Sequence, residues 1–199
     1  MLCGEKNSWF TPLVIQSILG AINSLMSLIY GNHRGWLTGL SLFMVLSVSV
    51  LSIFIVGFSL AITTFFLHYA ANTIADKITP RLCLIIAAWA NLPFVVRQIV
   101  RMVFMIFMQK PILAPGLSGL VSTSDSISLF AKEVLKQVDI FLVWHLVILY
   151  IGTTQFHIST KKRWVIAIVA LIGSLLVRCL VNAFLLKINY GVFYYIPLP

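Results

Sequence analysis

Four charged residues lie inside or at the edge of long apolar runs, where they could form ion pairs or bind an anion: Arg97, Arg101, Asp139 and Arg178. A charge in hydrocarbon is costly and needs a partner or a water-filled neighbour. Arg97 and Arg101 are four residues apart, so they share a helical face. An arginine–carboxylate pair orients both of its members in a site of low dielectric. We therefore expect these four side chains to meet inside a membrane protein.

This charge cluster allows two interpretations. In the first, it is an ion-pair latch that fixes the registry of the helices, because one Asp among three Arg can do this without a ligand. In the second, it is an outward-facing pocket for an anion or a lipid headgroup, because positive charge is in excess. An acidic residue of a partner subunit would balance the same excess. We prefer the latch and keep the pocket as the alternative.

Other polar residues inside the apolar runs are interpreted as helix-packing positions. Gln16 and Asn23 share a face that suits packing, with a transport path as the alternative. Pro93 frees a backbone carbonyl that neighbours must satisfy. His145 could ligate a haem or pigment together with His68, but a hydrogen-bonded packing histidine is the simpler interpretation. The full set of packing positions is Gln16, Asn23, Pro93, His145 and Asn182.

Signatures of enzymes and metal sites are missing from the sequence. There is no HExxH, no GxSxG and no phosphate-binding GxxxxGK[ST] motif. The five Asp and Glu residues place no pair within one apolar run, and the three cysteines form no CxxC. We therefore expect no catalytic residues, no metal and no cofactor.

The composition indicates a membrane protein. Hydrophobic residues make up 60% of the 199 residues, charged residues 10%, and the mean hydropathy is +1.03. A soluble domain is near half apolar and a quarter charged. The formal charge of +9 comes largely from Lys and Arg at the ends of apolar runs, where membrane lipids and topology explain it. We expect one transmembrane domain over residues 1–199 that binds no nucleic acid.

The apolar runs predict an all-α bundle of five transmembrane helices. The second run is longer than the ~20 residues a span needs, and we predict one long second helix rather than two short spans. A short amphipathic helix over 126–137 should lie on the membrane surface before the fourth span. The runs are 11–30, 37–75, 82–108, 138–156 and 164–187.

Basic residues of the short turns predict the orientation. Arg81 lies in the turn 76–81, and Lys161, Lys162 and Arg163 lie in the hairpin 157–163. Five spans put both turns on the side of the N-terminus, and the positive-inside rule makes that side cytoplasmic. We expect the C-terminus outside.

Residues 58–184 carry three short segments in a recognisable order. They are AAWANLP at 87–93, VDIFLVW at 138–144 followed by YIG at 150–152, and STKKR at 159–163. In their order and spacing they resemble the YIP family, proteins named for interaction with Ypt/Rab GTPases. The resemblance implies five helices and a cytoplasmic N-terminus.

The resemblance also suggests a class of function. The first apolar run starts at residue 11, unlike eukaryotic members with their long N-terminal segment, so the chain is more similar to the prokaryotic relatives. That similarity implies a protein of the cytoplasmic membrane that acts as a non-catalytic accessory or scaffold subunit, with other membrane subunits as partners. The alternative is a small transporter or channel for an anion or lipid that uses the charge cluster.

Overall fold

A computed structural model of the protein describes residues 9–31, 42–75, 78–109, 117 and 129–194. Within the helices, side chains 23–25, 27–31, 42–49, 51–52, 129, 132–133 and 182–194 are not described. The described residues form helices and no strand, which confirms the all-α prediction. The helices are α1 (Phe10–Gly31), α2 (Leu42–Ile74), α3 (Pro80–Ala90), α4 (Leu92–Met108), α5 (Leu129–Gln137), α6 (Ile140–Gly152) and α7 (Thr160–Tyr194), and a 3-10 turn (Thr153–Phe156) extends α6.

The helices are those of a multi-pass membrane protein. Three described segments are long and apolar enough to cross a bilayer: Ile53–Ile74, Pro80–Met108 and Thr160–Val181. Two more are apolar but shorter, Phe10–Ile22 and Ile140–Phe156. A span needs ~20 apolar residues because the hydrocarbon core is ~30 Å thick.

The second apolar run forms one uninterrupted helix. Leu42–Ile74 contains 33 residues and is about 50 Å long at ~1.5 Å per residue. It has no proline, and its single glycine, Gly57, does not break it. The structure thus agrees with one long helix and not with two short spans.

The third run is interrupted at Asn91, two residues before Pro93. Proline has no amide hydrogen and its ring crowds the preceding turn, so the ladder of hydrogen bonds cannot continue. The Phe94 amide donates to the Asn91 carbonyl at 3.0 Å instead of to the Ala90 carbonyl one residue earlier. The break separates α3 from α4, and both helices contact α6.

Small residues allow α2, α3, α6 and α7 to approach one another closely. Six of the twelve buried residues in the core cluster are alanines. Gly173 on α7 faces the Phe66 ring of α2, and Gly152 at the end of α6 faces Ile86 of α3. Contacts of this kind are typical of helices packed within membranes, where close approach replaces a hydrophobic driving force.

The predicted amphipathic helix is described from Leu129 to Gln137 and packs against α7, while its predicted start at 126 lies outside the described residues. One element boundary differs from the sequence prediction. The last helix runs from Thr160 to Tyr194, beyond the predicted 164–187 at both ends. Apolar character ends before helical hydrogen bonding does, so hydropathy alone shortens a helix that continues past the hydrocarbon.

Candidate intramembrane charge cluster

Arg97 of α4 and Asp139 at the start of α6 form an ion pair. Their Nη1 and Oδ2 atoms are 3.0 Å apart, and the side chains are only 15% and 14% exposed. The second carboxylate oxygen, Oδ1, accepts the Leu142 amide at 3.0 Å and so caps α6. Aspartate is favoured at this position because it satisfies a free amide and complements the helix dipole. One carboxylate therefore positions α6 and connects it to α4.

Arg178 of α7 is bonded to α2 and not to Asp139. Its Nη2 donates to the Thr63 hydroxyl at 2.7 Å and to the Ser59 carbonyl at 3.4 Å. The Thr63 hydroxyl in turn donates to the same Ser59 carbonyl at 2.9 Å. Arg178 thus joins α7 to α2 through neutral oxygens, which makes it a second inter-helix contact beside the ion pair.

The Phe94 ring lies between the two arginines. The Cζ atoms of Arg97 and Arg178 are 5.1 and 5.6 Å from its centroid, within cation–π range. The His145 ring packs on Phe94 with 5.0 Å between centroids. Sequence reasoning missed Phe94, since one phenylalanine among 14 carries no distinguishing signal.

Arg101 lies one turn beyond Arg97 and faces the same cavity. The cavity has a volume of about 200 Å³, and α1, α2, α4 and α7 contribute to its walls. Within the described part of the chain, neither Arg101 nor Arg178 has a carboxylate within ion-pair distance. The residues around the cavity are Gln16, Ile55, Val56, Phe58, Ser59, Phe94, Arg97, Gln98, Arg101, Gln137, Arg178 and Val181. The four predicted charges therefore meet, but as one ion pair and two further arginines.

His145 forms a hydrogen bond with a backbone carbonyl at the break between α3 and α4. Its ring is 1% exposed, and Nδ1 lies in hydrogen-bonding contact with the Ala90 carbonyl. A carbonyl only accepts, so this bond places the proton on Nδ1. The usual partner of the Ala90 carbonyl would be the Phe94 amide, which bonds to the Asn91 carbonyl instead. The predicted packing histidine therefore bonds to the backbone at the break before Pro93, whereas the amide that Pro93 lacks would have bonded to the Trp89 carbonyl.

The other polar residues singled out in the sequence are Gln16, Asn23, Asn182 and His68. Gln16 of α1 is buried and lines the cavity. The side chains of Asn23 and Asn182 lie outside the described residues. His68 of α2 accepts a hydrogen bond from the Asn72 amide at 3.0 Å, on its own helix. Searched over the described residues, the structure groups no three His, Cys, Asp or Glu side chains that could hold a metal.

The chain matches one family of known proteins. A family model described as the Yip1 domain matches residues 2–181 of the chain. Neither the curated proteins nor the solved structures contain a match. The matched region includes every residue of the charge cluster.

Proposed function

The chain belongs to the Yip1 domain family, and from that premise we propose that it is a non-catalytic accessory or scaffold subunit of a larger membrane protein complex. The observation that supports this role is that polar residues of the spans bond to other helices of the same bundle. Arg97 pairs with Asp139 across α4 and α6, and Arg178 pairs with Thr63 across α7 and α2. Polar groups in a membrane interior are costly, and here they connect helices of the same bundle. Such a bundle suits a rigid subunit that presents its outer faces to others.

The proposed topology has five spans within one domain, with the N-terminus cytoplasmic. Lys161 and Lys162 are exposed at the start of α7, as expected for residues at a cytoplasmic interface. The topology can be tested with single cysteines. Cys83 and Cys179 are buried cysteines and are to be replaced first, together with Cys3. A cysteine at Lys161 should react with an impermeant maleimide only after the cells are opened, and reaction in intact cells would reverse the topology.

The outer face of α2 is the surface that we propose meets the partner. Phe54, Phe58, Phe65 and Tyr69 are exposed, and they fall within about 60° of one another around the helix. The rings of Phe65 and Tyr69 are stacked with centroids 6.4 Å apart. Aromatic side chains are enriched where proteins meet, because they cover a large area at little entropic cost. We call these four residues the aromatic face.

Site-specific photo-crosslinking tests this role. A photoreactive phenylalanine analogue at Phe65 should crosslink to one protein of fixed mass in the native membrane. The matched control places the same analogue at Ile172, an exposed residue of α7. We expect crosslinks to lipid alone at Ile172. Lipid adducts alone at both positions would contradict a partner on the aromatic face.

The alternative function is a small transporter or channel for an anion or lipid. The observation that favours it is the cavity of about 200 Å³ with three arginines in its walls. In reconstituted vesicles, Arg178→Ala would then abolish flux while the protein remains folded. Absence of flux for the wild-type protein would exclude this function.

A further inference from the structure

The described walls of the cavity between α1, α2, α4 and α7 carry an excess of positive charge. Arg97, Arg101 and Arg178 line it, and Asp139 is the single acidic side chain in the described part of the chain. Asp139 is already paired with Arg97 at 3.0 Å. Three guanidinium groups against one carboxylate leave two positive charges without an acidic partner among the described residues. A partly buried excess of this size favours an anion in the cavity.

The walls also offer hydrogen-bond donors suited to an oxyanion. The Nε atom of Arg178 is buried without a hydrogen-bond partner in the described structure, and so is the Oε1 atom assigned to Gln98. Arginine has five N–H donors, and they match the paired oxygens of a phosphate. An amide can be turned so that it donates instead of accepting. The cavity therefore matches phosphate better than a spherical halide ion.

The depth of the cavity indicates where the phosphate comes from. Arg178 lies about 27 Å along α7 from Thr160, at ~1.5 Å per residue. Ser59 lies about 23 Å along α2 from its end at Ile74. Basic residues at the start of α7 mark one membrane interface, and the hydrocarbon core is ~30 Å thick. The cavity therefore lies within the hydrocarbon core but near the opposite interface, where long arginine side chains can extend toward lipid phosphates.

We propose that this cavity binds the phosphate of one anionic phospholipid from the membrane face opposite Thr160. Arg101 and Arg178 donate to the phosphate oxygens, while Arg97 remains paired with Asp139. Ile55 and Phe58 line the cavity and are about half exposed, so they offer an apolar surface to the acyl chains. This site shares Phe58 with the aromatic face, but it does not rest on the accessory role, because Arg101 and Arg178 provide the proposed phosphate contacts whether or not a partner is present.

Native mass spectrometry of the detergent-purified protein tests the proposal. Phosphatidylglycerol and phosphatidylcholine with the same acyl chains are titrated separately, and inorganic phosphate is titrated in a third series. The wild-type protein should bind one phosphatidylglycerol roughly tenfold or more tightly than phosphatidylcholine, which has no net charge. Arg101→Gln should weaken phosphatidylglycerol roughly tenfold, the equivalent of one charge-assisted contact.

Arg81→Gln is the matched control, because it removes the same charge from an exposed site at the other end of the bundle. It should leave lipid affinity within about twofold of wild type. Equal affinity of the wild-type protein for the two lipids would overturn the proposal, and this comparison requires no variant to fold. Equal losses in Arg101→Gln and Arg81→Gln would also overturn it. If millimolar inorganic phosphate displaces phosphatidylglycerol, the site is one for a free anion and the lipid assignment is wrong.

Discussion

Replacement of Asp139 by alanine should destabilise the bundle more than any other single change in the cluster. The substitution removes the cap on the Leu142 amide at 3.0 Å and the ion pair to Arg97 at 3.0 Å. Loss of a helix cap costs about 1 kcal/mol. Breaking a buried ion pair costs about 3–5 kcal/mol, and we expect the lower end because both side chains retain some exposure. Asp139→Ala should therefore lower the free energy of unfolding by about 4 kcal/mol.

Asp139→Asn separates the two contributions. Its amide oxygen can still accept from the Leu142 amide, so the cap remains while the charge is lost. We expect a loss of about 3 kcal/mol for Asp139→Asn, and the difference of about 1 kcal/mol from Asp139→Ala measures the cap. Combining Asp139→Asn with Arg97→Gln should cost less than the sum of the two single changes, because the second change removes the unpaired arginine.

The assay is reversible unfolding by sodium dodecyl sulfate in mixed micelles, followed by far-ultraviolet circular dichroism. Lys161→Gln is the control, since that exposed residue is far from the cluster along α7. It should change the free energy of unfolding by less than about 0.5 kcal/mol. An Asp139→Asn protein as stable as wild type would refute the ion-pair latch. Equal stability of Asp139→Asn and Asp139→Ala would refute the cap.

Two further changes test helix packing by the same assay. Gly173→Ala would place a Cβ atom 2.5 Å from the partly buried Phe66 ring of α2, so it should cost about 1–3 kcal/mol, whereas Gly57→Ala meets nothing within 4 Å and should cost no more than about 0.5 kcal/mol. Equal effects of the two glycine changes would contradict the close approach of α7 to α2. Thr63→Val removes the hydroxyl bonded to Arg178 and should cost about 1–3 kcal/mol, whereas Thr64→Val loses only a bond within its own helix and should cost less. A larger loss for Thr64→Val would be inconsistent with the contact between α2 and α7.

Part of the cluster could be predicted from the sequence because charges in apolar runs are rare. Arg97 and Asp139 are conspicuous for that reason, and their pairing follows from a shared depth. The partner of Arg178 could not be predicted, because a hydroxyl such as that of Thr63 is a common side chain in membrane helices. The cap role of Asp139 has a sequence signal, because an aspartate directly before an apolar run is typical of a helix N-cap.

The arrangement of the helices could likewise be predicted only in part from the sequence. Pro93 predicted a freed backbone carbonyl inside one span over 82–108, because its missing amide hydrogen has a fixed local consequence. The separation of that run into α3 and α4 at Asn91 was not predicted. That His145 takes up the Ala90 carbonyl depends on how α6 packs against α3, which no local pattern contains. Helix α7 extends beyond the predicted run 164–187 at both ends, because hydropathy reports the solvent around a helix and not its hydrogen bonds.

The decisive measurement for the accessory role is quantitative mass spectrometry of native complexes. The full chain is extracted from its own membranes in a mild detergent and separated on a native gel. We expect one set of membrane proteins in constant ratio to this chain, and substitution of Phe65 by serine on the aromatic face should release them. A chain that migrates alone or only with copies of itself, under conditions that keep other membrane complexes intact, would contradict the accessory role.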